Sequence, residues 1–160
     1  MKRSPTHAVS LVLLSSGLLL RAAVGTITPT PSTVALTHTN PASSPASSSV
    51  TLTFTMSGGA TAKTWNITVQ ADQSTLANCS AISTSTITVN CASASVTNGG
   101  TGTCSGSFPL SSTSANQVAS GQQGSGTSNY TVQITYQFSD SWRYKGNTCS
   151  LNLTYVVTQN

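Results

Sequence analysis

The sequence is poor in acidic residues: it contains no glutamate, and its only two carboxylate side chains are Asp72 and Asp140. Glycoside hydrolysis by paired carboxylates needs two acids that flank one bond, whereas an aspartate beside turn residues is usually a turn former. A Ser-His-Asp triad would have to use His38, at the end of an early predicted strand, and no G-x-S-x-G motif accompanies it. We therefore expect no enzymatic activity, with an extracellular hydrolase as the remote alternative.

Basic residues are also few, and half of them lie at the N-terminus. Three of the six Lys and Arg residues fall within the first 25 positions. The remainder of the chain carries three basic and two acidic side chains, which leaves a net charge of +1. Binding to nucleic acid requires a basic patch that neutralises several phosphates. This composition excludes nucleic acid as a partner.

The N-terminal segment has the pattern of a secretory signal. Lys2 and Arg3 precede an apolar run from Val9 to Leu20, which is shorter than the roughly 20 residues that span a bilayer. Small residues follow the run, and the sequence predicts cleavage between Gly25 and Thr26; an uncleaved N-terminal anchor is the alternative. We expect residues 1–25 to be a signal peptide, with no stable membrane insertion after cleavage. The mature protein is then secreted or on the cell surface, or in the periplasm.

The cysteines all lie in the part of the chain that is predicted to be exported. An even number of cysteines in an oxidising compartment favours disulfides. We favour Cys79–Cys91, because Cys79 lies in a loop shortly before the strand of Cys91, and Cys104–Cys149, because the apolar faces of their predicted strands should both point inward. The main alternative joins Cys91 to Cys104 across the Asn98-Gly99 hairpin and leaves Cys79 for Cys149. No pair has the C-x-x-C spacing, so we expect no metal site and no cofactor.

Hydrophobic residues alternate with period two in several segments, which is typical of half-buried β-strands. Five segments carry the pattern clearly: Val50–Met56, Trp65–Ala71, Ile87–Cys91, Tyr130–Phe138 and Cys149–Val157. Three shorter candidates are Val34–His38, Thr103–Phe108 and Gln117–Ala119. Turn residues separate the segments, and Asn98-Gly99 is the pattern of a hairpin turn.

Short strands with one apolar face each need a second sheet to cover that face. The sequence therefore predicts an all-β, immunoglobulin-like two-sheet sandwich of about seven to eight antiparallel strands, in a single domain over residues 33–160. Residues 26–32, with prolines at 29 and 31, predict an extended lead-in.

One loop concentrates aromatic and charged side chains. The segment Trp142, Arg143, Tyr144 and Lys145 lies between the two clearest predicted strands. A rigid aromatic beside hydrogen-bonding groups is typical of a loop that binds a sugar or a protein surface. The alternative, which we favour, is that Trp142 covers one end of the sandwich while Arg143 and Lys145 stay solvated.

Residues Pro31 to Ala71 resemble the opening of bacterial Ig-like domains of the BACON and abnormal-spindle-associated type. The resemblance is carried by a Pro-led strand (Ser32–Thr39), an alternating strand that ends in Ser57-Gly58-Gly59, and the strand Trp65–Val69. It implies an extracellular accessory or surface module with no catalytic residues. The C-terminal strand is similar, more faintly, to secreted sandwiches of the pilin and spore-coat-U type, which implies assembly by strand donation.

The resulting hypothesis is a secreted, non-catalytic β-sandwich module with a structural or interaction role, whose partner is a cell-surface protein or a glycan. The alternative is a pilin-like or coat-like subunit of a self-assembling fibre.

Overall fold

The computed structural model describes residues 28–30, 34–38, 46–57, 63–138 and 147–160. Within these ranges the only helical element is a 3₁₀ turn at Thr84–Thr86, and there is no helix able to cross a membrane. All other regular structure is β-strand: β1 (Thr28–Thr30), β2 (Val34–His38), β3 (Ala46–Met56), β4 (Thr64–Ala71), β5 (Thr75–Leu76), β6 (Cys79–Ser83), β7 (Ile87–Thr97), β8 (Gly100–Cys104), β9 (Phe108–Pro109), β10 (Asn116–Gln123), β11 (Ser128–Phe138), β12 (Asn147–Leu151) and β13 (Leu153–Gln159). The predicted signal peptide lies outside the described residues.

The first sheet has five antiparallel strands in the order β1-β3-β11-β7-β9. Its centre follows from the alternation in the sequence, because β3 and β11 pair with their apolar residues in register. Phe54 lies opposite Tyr130 and Leu52 opposite Val132, and all four side chains are buried. Cross-strand pairs of this kind stabilise a sheet through side-chain contact.

The second sheet has four antiparallel strands in the order β13-β4-β10-β8. The alternating residues of β4, Trp65, Ile67, Val69 and Ala71, all point into the interior and are at most 2% exposed. They pack against the buried faces of β3 and β11 in one hydrophobic core. The predicted all-β two-sheet sandwich is therefore confirmed.

Two β-bulges change which residues face the core. In β7, the pairing with β11 shifts between Gln133 and Ile134, so Cys91 lies opposite Ile134 while Ser93 lies opposite Gln133. Ile87 and Val89 face inward before the bulge, and Ala94 and Val96 pack against the core after it. A bulge inserts one unpaired residue, so the residues that face the core are odd-numbered before it and even-numbered after it. A second bulge in β10 buries both Val118 and Ala119.

The predicted strand Cys149–Val157 is two strands with different partners. β12 pairs with β2, and β13 pairs with β4; Asn152 separates them. On its other side β12 contacts Ala77, which exchanges backbone hydrogen bonds of 3.0 and 3.1 Å with Ser150. β12 thus lies between β2 and the segment that follows β4.

The Asn98-Gly99 turn has the expected conformation but not the expected role. Asn98 and Gly99 have φ values of 65° and 88°, in the left-handed region that this residue pair favours. The strands on either side, however, join different sheets, so the turn carries the chain from one layer of the sandwich to the other. The predicted strand Thr103–Phe108 is correspondingly divided between β8 and β9.

The disulfides are Cys79–Cys149 and Cys91–Cys104, so the favoured pairing was wrong and the alternative is correct. Cys91 and Cys104 flank the Asn98-Gly99 turn, and their Cα atoms lie 5.4 Å apart. Cys79 lies two residues after Ala77, whose pairing with Ser150 brings Cys79 within a Cα distance of 5.6 Å from Cys149. Both distances are typical of disulfides.

Candidate functional site

The loop that was predicted to bind a partner, Trp142 to Lys145, lies outside the described residues, and its role stays a prediction. It connects Phe138, the last residue of β11, to Asn147, the first residue of β12.

The described residues contain no cluster of acidic, histidine or free cysteine side chains. In these ranges no three His, Cys, Asp or Glu side chains are grouped as metal ligands, and every cysteine is in a disulfide. The Asp72 carboxylate accepts a 2.6 Å hydrogen bond from the Thr154 hydroxyl, which ties it to the neighbouring strand β13. Asp140 lies outside the described part of the chain, as does the side chain of His38.

An open groove of about 600 Å³ lies where β9 of the first sheet approaches the start of β10 in the second. Three groups of residues line it, which we call the first wall (Ser74 and the 3₁₀ turn), the second wall (the turn after β9) and the floor (β9 with Leu110). The lining residues are Ser74, Ser83, Thr84, Ser85, Phe108, Pro109, Leu110, Ser111, Ser112, Thr113, Asn116 and Gln117.

The first wall is held by hydrogen bonds to Ser74 and Ser83. Both the backbone N–H and the hydroxyl of Thr84 donate to the carbonyl of Ser74, at 2.9 and 3.1 Å. The Ser83 hydroxyl accepts from the N–H of Ser85 at 3.3 Å and so caps the turn. Thr84 is buried, whereas Ser83 and Ser85 keep exposed hydroxyls at the rim.

The second wall is a turn organised by the Ser111 hydroxyl. This oxygen accepts from the N–H groups of Thr113 and Ser114 at 3.2 and 3.0 Å, as Ser side chains do in such turns. Gln70, on β4, donates from its amide nitrogen to the carbonyl of Ser112 at 2.8 Å. The wall is therefore fixed to the second sheet, with the side chain of Thr113 exposed.

The floor of the groove is apolar. Phe108 and Pro109 pair with Val89 and Thr88 at the start of β7, and the N–H of Leu110 donates to Ile87 at 2.8 Å. Leu110 is buried in the core, while Phe108 is only partly buried. The groove is thus lined by apolar surface at Phe108 and Pro109 together with residues that carry hydroxyls.

The lining contains hydroxyl and amide side chains and no charged one. Hydroxyls both donate and accept, and the amides of Asn116 and Gln117 add two donors and one acceptor each. Sites for small ligands combine an apolar surface with a few polar groups that fix orientation. A sugar ring matches this arrangement, because it has C–H groups on its faces and hydroxyls around its edge.

The outer face of the first sheet is a second uncharged surface. Rows of Thr, Ser, Asn and Gln side chains run across its strands, and one such row is Thr53, Thr131 and Ser95. Side chains also bond across the strands, as the Thr55 hydroxyl does in donating to the Asn129 amide oxygen at 2.8 Å. We take the groove as the candidate site because it is concave.

The groove was not predicted from the sequence. Its walls come from the segment between Ser74 and Ser85 and from the turn at Ser111, which are distant from each other along the chain. Serine and threonine are abundant throughout this chain, so their presence in these turns carries no distinguishing signal. The groove forms only because β9 and β10, which belong to different sheets, lie beside the 3₁₀ turn.

No protein-family model, curated protein or solved structure matches this chain. We therefore infer the function from the chemistry of the groove itself.

Proposed function

We propose that this protein is an exported, non-catalytic β-sandwich module of the immunoglobulin-like kind that binds a neutral glycan in the groove beside Phe108. The observation that carries the proposal is the lining: an apolar strip at Phe108 and Pro109, two walls of hydroxyls and amides, and no charged side chain. The two disulfides support an oxidising location, since such bonds form and persist outside the reducing cytosol.

The neutral lining predicts the class of ligand. A groove without charge makes no favourable pairing with sulfate, phosphate or carboxylate groups, and desolvating such groups there costs free energy. Neutral oligosaccharides exchange hydrogen bonds with water for hydrogen bonds with hydroxyls and amides, and their C–H faces cover the apolar strip. Binding should therefore be insensitive to salt, because no ion pair is screened.

The test is a screen of the exported protein against neutral and acidic glycans, followed by titration calorimetry with any ligand found. Phe108→Leu keeps an apolar side chain against the core but removes the flat ring. Gln117→Ala removes one amide from the groove. Each change should weaken binding about fivefold or more, because one lost hydrogen bond or ring contact corresponds to about 1 kcal/mol.

Gln122→Ala is the matched control. Gln122 is an exposed glutamine on the same strand, β10, but it does not line this groove. Its replacement should leave affinity unchanged. If no neutral glycan binds, or if Gln117→Ala and Gln122→Ala have equal effects, the groove is not a glycan site.

The second proposal is a self-assembling fibre subunit of the pilin-like or coat-like kind. It is favoured by an uncharged strand, β13, at the edge of the second sheet. In gel filtration such a subunit would elute as a series of open-ended polymers, whereas a glycan-binding module would elute as a species of defined mass.

A further inference from the structure

The edge of the second sheet at β13 has backbone groups that no described strand pairs. The ladder between β13 and β4 fixes their direction: the N–H of Asp72 donates to Asn152, and the N–H of Asn160 donates to Thr64, at 3.0 and 2.9 Å. Residues with even numbers in this strand therefore bond towards β4. Because the direction alternates along an antiparallel strand, the N–H and C=O groups of Leu153, Tyr155, Val157 and Gln159 point away from the sheet.

The preceding strand, β12, is covered by β2 on the side that corresponds to the open edge of β13. β2 pairs with β12, and its register begins with Val34 opposite Leu151. The described part of β2 thus covers the first half of the C-terminal run and stops where β13 begins. β13, which has no partner among the described strands on this side, is seven residues long.

The other three edges of the two main sheets have features that hinder pairing with another strand. β1 has three residues with Pro29 at its centre, and β9 has two residues and ends at Pro109. β8 contains two glycines and is joined to β7 by a disulfide. Short strands and prolines are how natural sheets protect their edges. β13 has no proline, glycine or charged residue.

β13 also carries Val156, which is 39% exposed and is the one exposed large hydrophobic side chain in the described residues. Consider a second β13 laid antiparallel along this edge so that all seven residues overlap. Leu153 then lies opposite Gln159, Tyr155 lies opposite Val157, and Val156 lies opposite the Val156 of the other copy. In this register, each residue whose N–H and C=O groups point outward lies opposite a residue of the other copy whose groups also point outward. The two strands can therefore form the full set of backbone hydrogen bonds.

We propose that two copies of this chain form a symmetric dimer by antiparallel pairing of their β13 strands, with the two-fold axis at Val156. The pair at the axis is not hydrogen-bonded to itself, and in such pairs the Cα atoms approach to about 4.5 Å with side chains in contact. Each valine then covers the exposed surface of the other. The two four-stranded sheets become one continuous sheet, and the interface is closed because the same patch is used by both copies.

The dimer does not depend on the proposed glycan site. The groove lies at β9 and the start of β10, and β13 contributes no residue to it. The two proposals are tested by different measurements.

The experiment compares oligomeric mass, by light scattering after gel filtration, for the exported protein and its Val156→Lys and Val156→Asp variants. The unchanged protein should have the mass of two chains. Each variant alone should be monomeric, because like charges would lie in direct opposition at the axis. A mixture of the two variants should recover the dimer mass, with one lysine chain and one aspartate chain in each dimer by native mass spectrometry.

Gln122→Lys, which places a lysine on β10 of the same sheet away from the edge, is the control and should remain dimeric. Thermal melts should show that both Val156 variants stay folded, since the side chain is exposed. A monomeric unchanged protein, a dimeric Val156→Lys variant, or a ladder of higher masses overturns the proposal. Two monomeric variants that fail to pair when mixed overturn the register at Val156.

Discussion

The hydroxyl of Tyr136 lies 2.8 Å from the hydroxyl of Tyr155, in a hydrogen bond that joins the two sheets. Tyr136 belongs to β11 in the first sheet and is buried; Tyr155 belongs to β13 in the second and is partly buried. Burial raises the pKa of Tyr155 to about 12, although its hydrogen bond to Tyr136 acts in the opposite direction. Burial, with the neighbouring Tyr155, raises the pKa of Tyr136 further.

The protein should therefore lose stability in alkaline solution. An unfolded tyrosine ionises at a pKa of about 10, and in the folded state both tyrosines keep their protons to higher pH. The stabilisation is complete below pH of about 10 and decreases above it, because the unfolded state then binds fewer protons than the folded state. Urea unfolding between pH 8 and 11 measures this slope.

Tyr136→Phe removes one of the two groups and should reduce the slope above pH of about 10. At neutral pH it should cost about 1 kcal/mol, the usual value of one hydrogen bond. A free energy of unfolding that stays constant from pH 9 to 11 in the unchanged protein would contradict the assignment.

The alternation of apolar residues was sufficient to predict the central strands. From Val50 to Met56 in β3, Trp65 to Ala71 in β4 and Tyr130 to Phe138 in β11, every second residue is apolar and buried. Period two persists there because each strand is regular and has one face against the core. The Asn98-Gly99 turn was predicted for the same kind of local reason, since its conformation requires positive φ.

The predictions that were wrong concern features that depend on contacts between residues distant in sequence. The bulge near Ala92 changes which residues of β7 face the core, so the regular alternation ends at Cys91 although the strand continues to Thr97. The pairing of Cys79 with Cys149 follows from the contact of Ala77 with Ser150, which are separated by more than seventy positions. No local pattern encodes such contacts, and four cysteines allow three pairings.

Gly121 should be intolerant of any side chain. It lies opposite Trp65 in the second sheet, and a Cβ atom at Gly121 would clash with the backbone carbonyl oxygen of Thr101 and lie 2.6 Å from Cζ2 of the Trp65 ring. The ring cannot retreat, because it packs edge-to-face on Phe54 and Tyr130 at centroid distances of 5.2 and 5.0 Å. Gly121→Ala should destabilise the fold by about 3 kcal/mol through overpacking, a fall in melting temperature of roughly 10 °C.

Gly126→Ala is the control for this substitution. A Cβ atom at Gly126 meets no atom within 4 Å. Its melting temperature should match that of the unchanged protein, as expected for an exposed surface position. Equal melting temperatures for the two alanine variants would show that the Trp65 site can rearrange.

The two disulfides should stabilise the fold unequally. Cys79 and Cys149 are separated by 70 positions, and Cys91 and Cys104 by 13. In the chain-entropy model the longer loop contributes about 4 kcal/mol and the shorter about 3 kcal/mol. Replacing each pair with alanines and measuring urea unfolding should give the larger loss for Cys79 and Cys149.

Peptide mapping of the exported, unreduced protein checks the pairing itself. Digestion should release one linked peptide pair that contains Cys91 with Cys104 and another that contains Cys79 with Cys149. A linked pair of Cys79 with Cys91 would instead restore the pairing that the sequence spacing favoured.

Trp142 should contribute to stability and Tyr144 should not. Their segment joins Phe138, at the buried end of a strand in the first sheet, to β12, which runs on into β13 of the second. In the interpretation that we favour, Trp142 covers one end of the sandwich, where a large apolar ring removes much surface from water. Trp142→Ala should therefore cost about 3 to 5 kcal/mol, as truncation of a buried aromatic does.

Thermal melts of Trp142→Ala and Tyr144→Ala separate this role from binding. A large loss for Trp142→Ala with little change for Tyr144→Ala supports the structural role. If the loop instead binds a partner, both rings are exposed in the free protein, and neither substitution should change the melting temperature. If both variants keep the melting temperature of the unchanged protein, the structural role is wrong. The loop is then a binding surface, and its two aromatic residues are of the type that is enriched in binding hot spots.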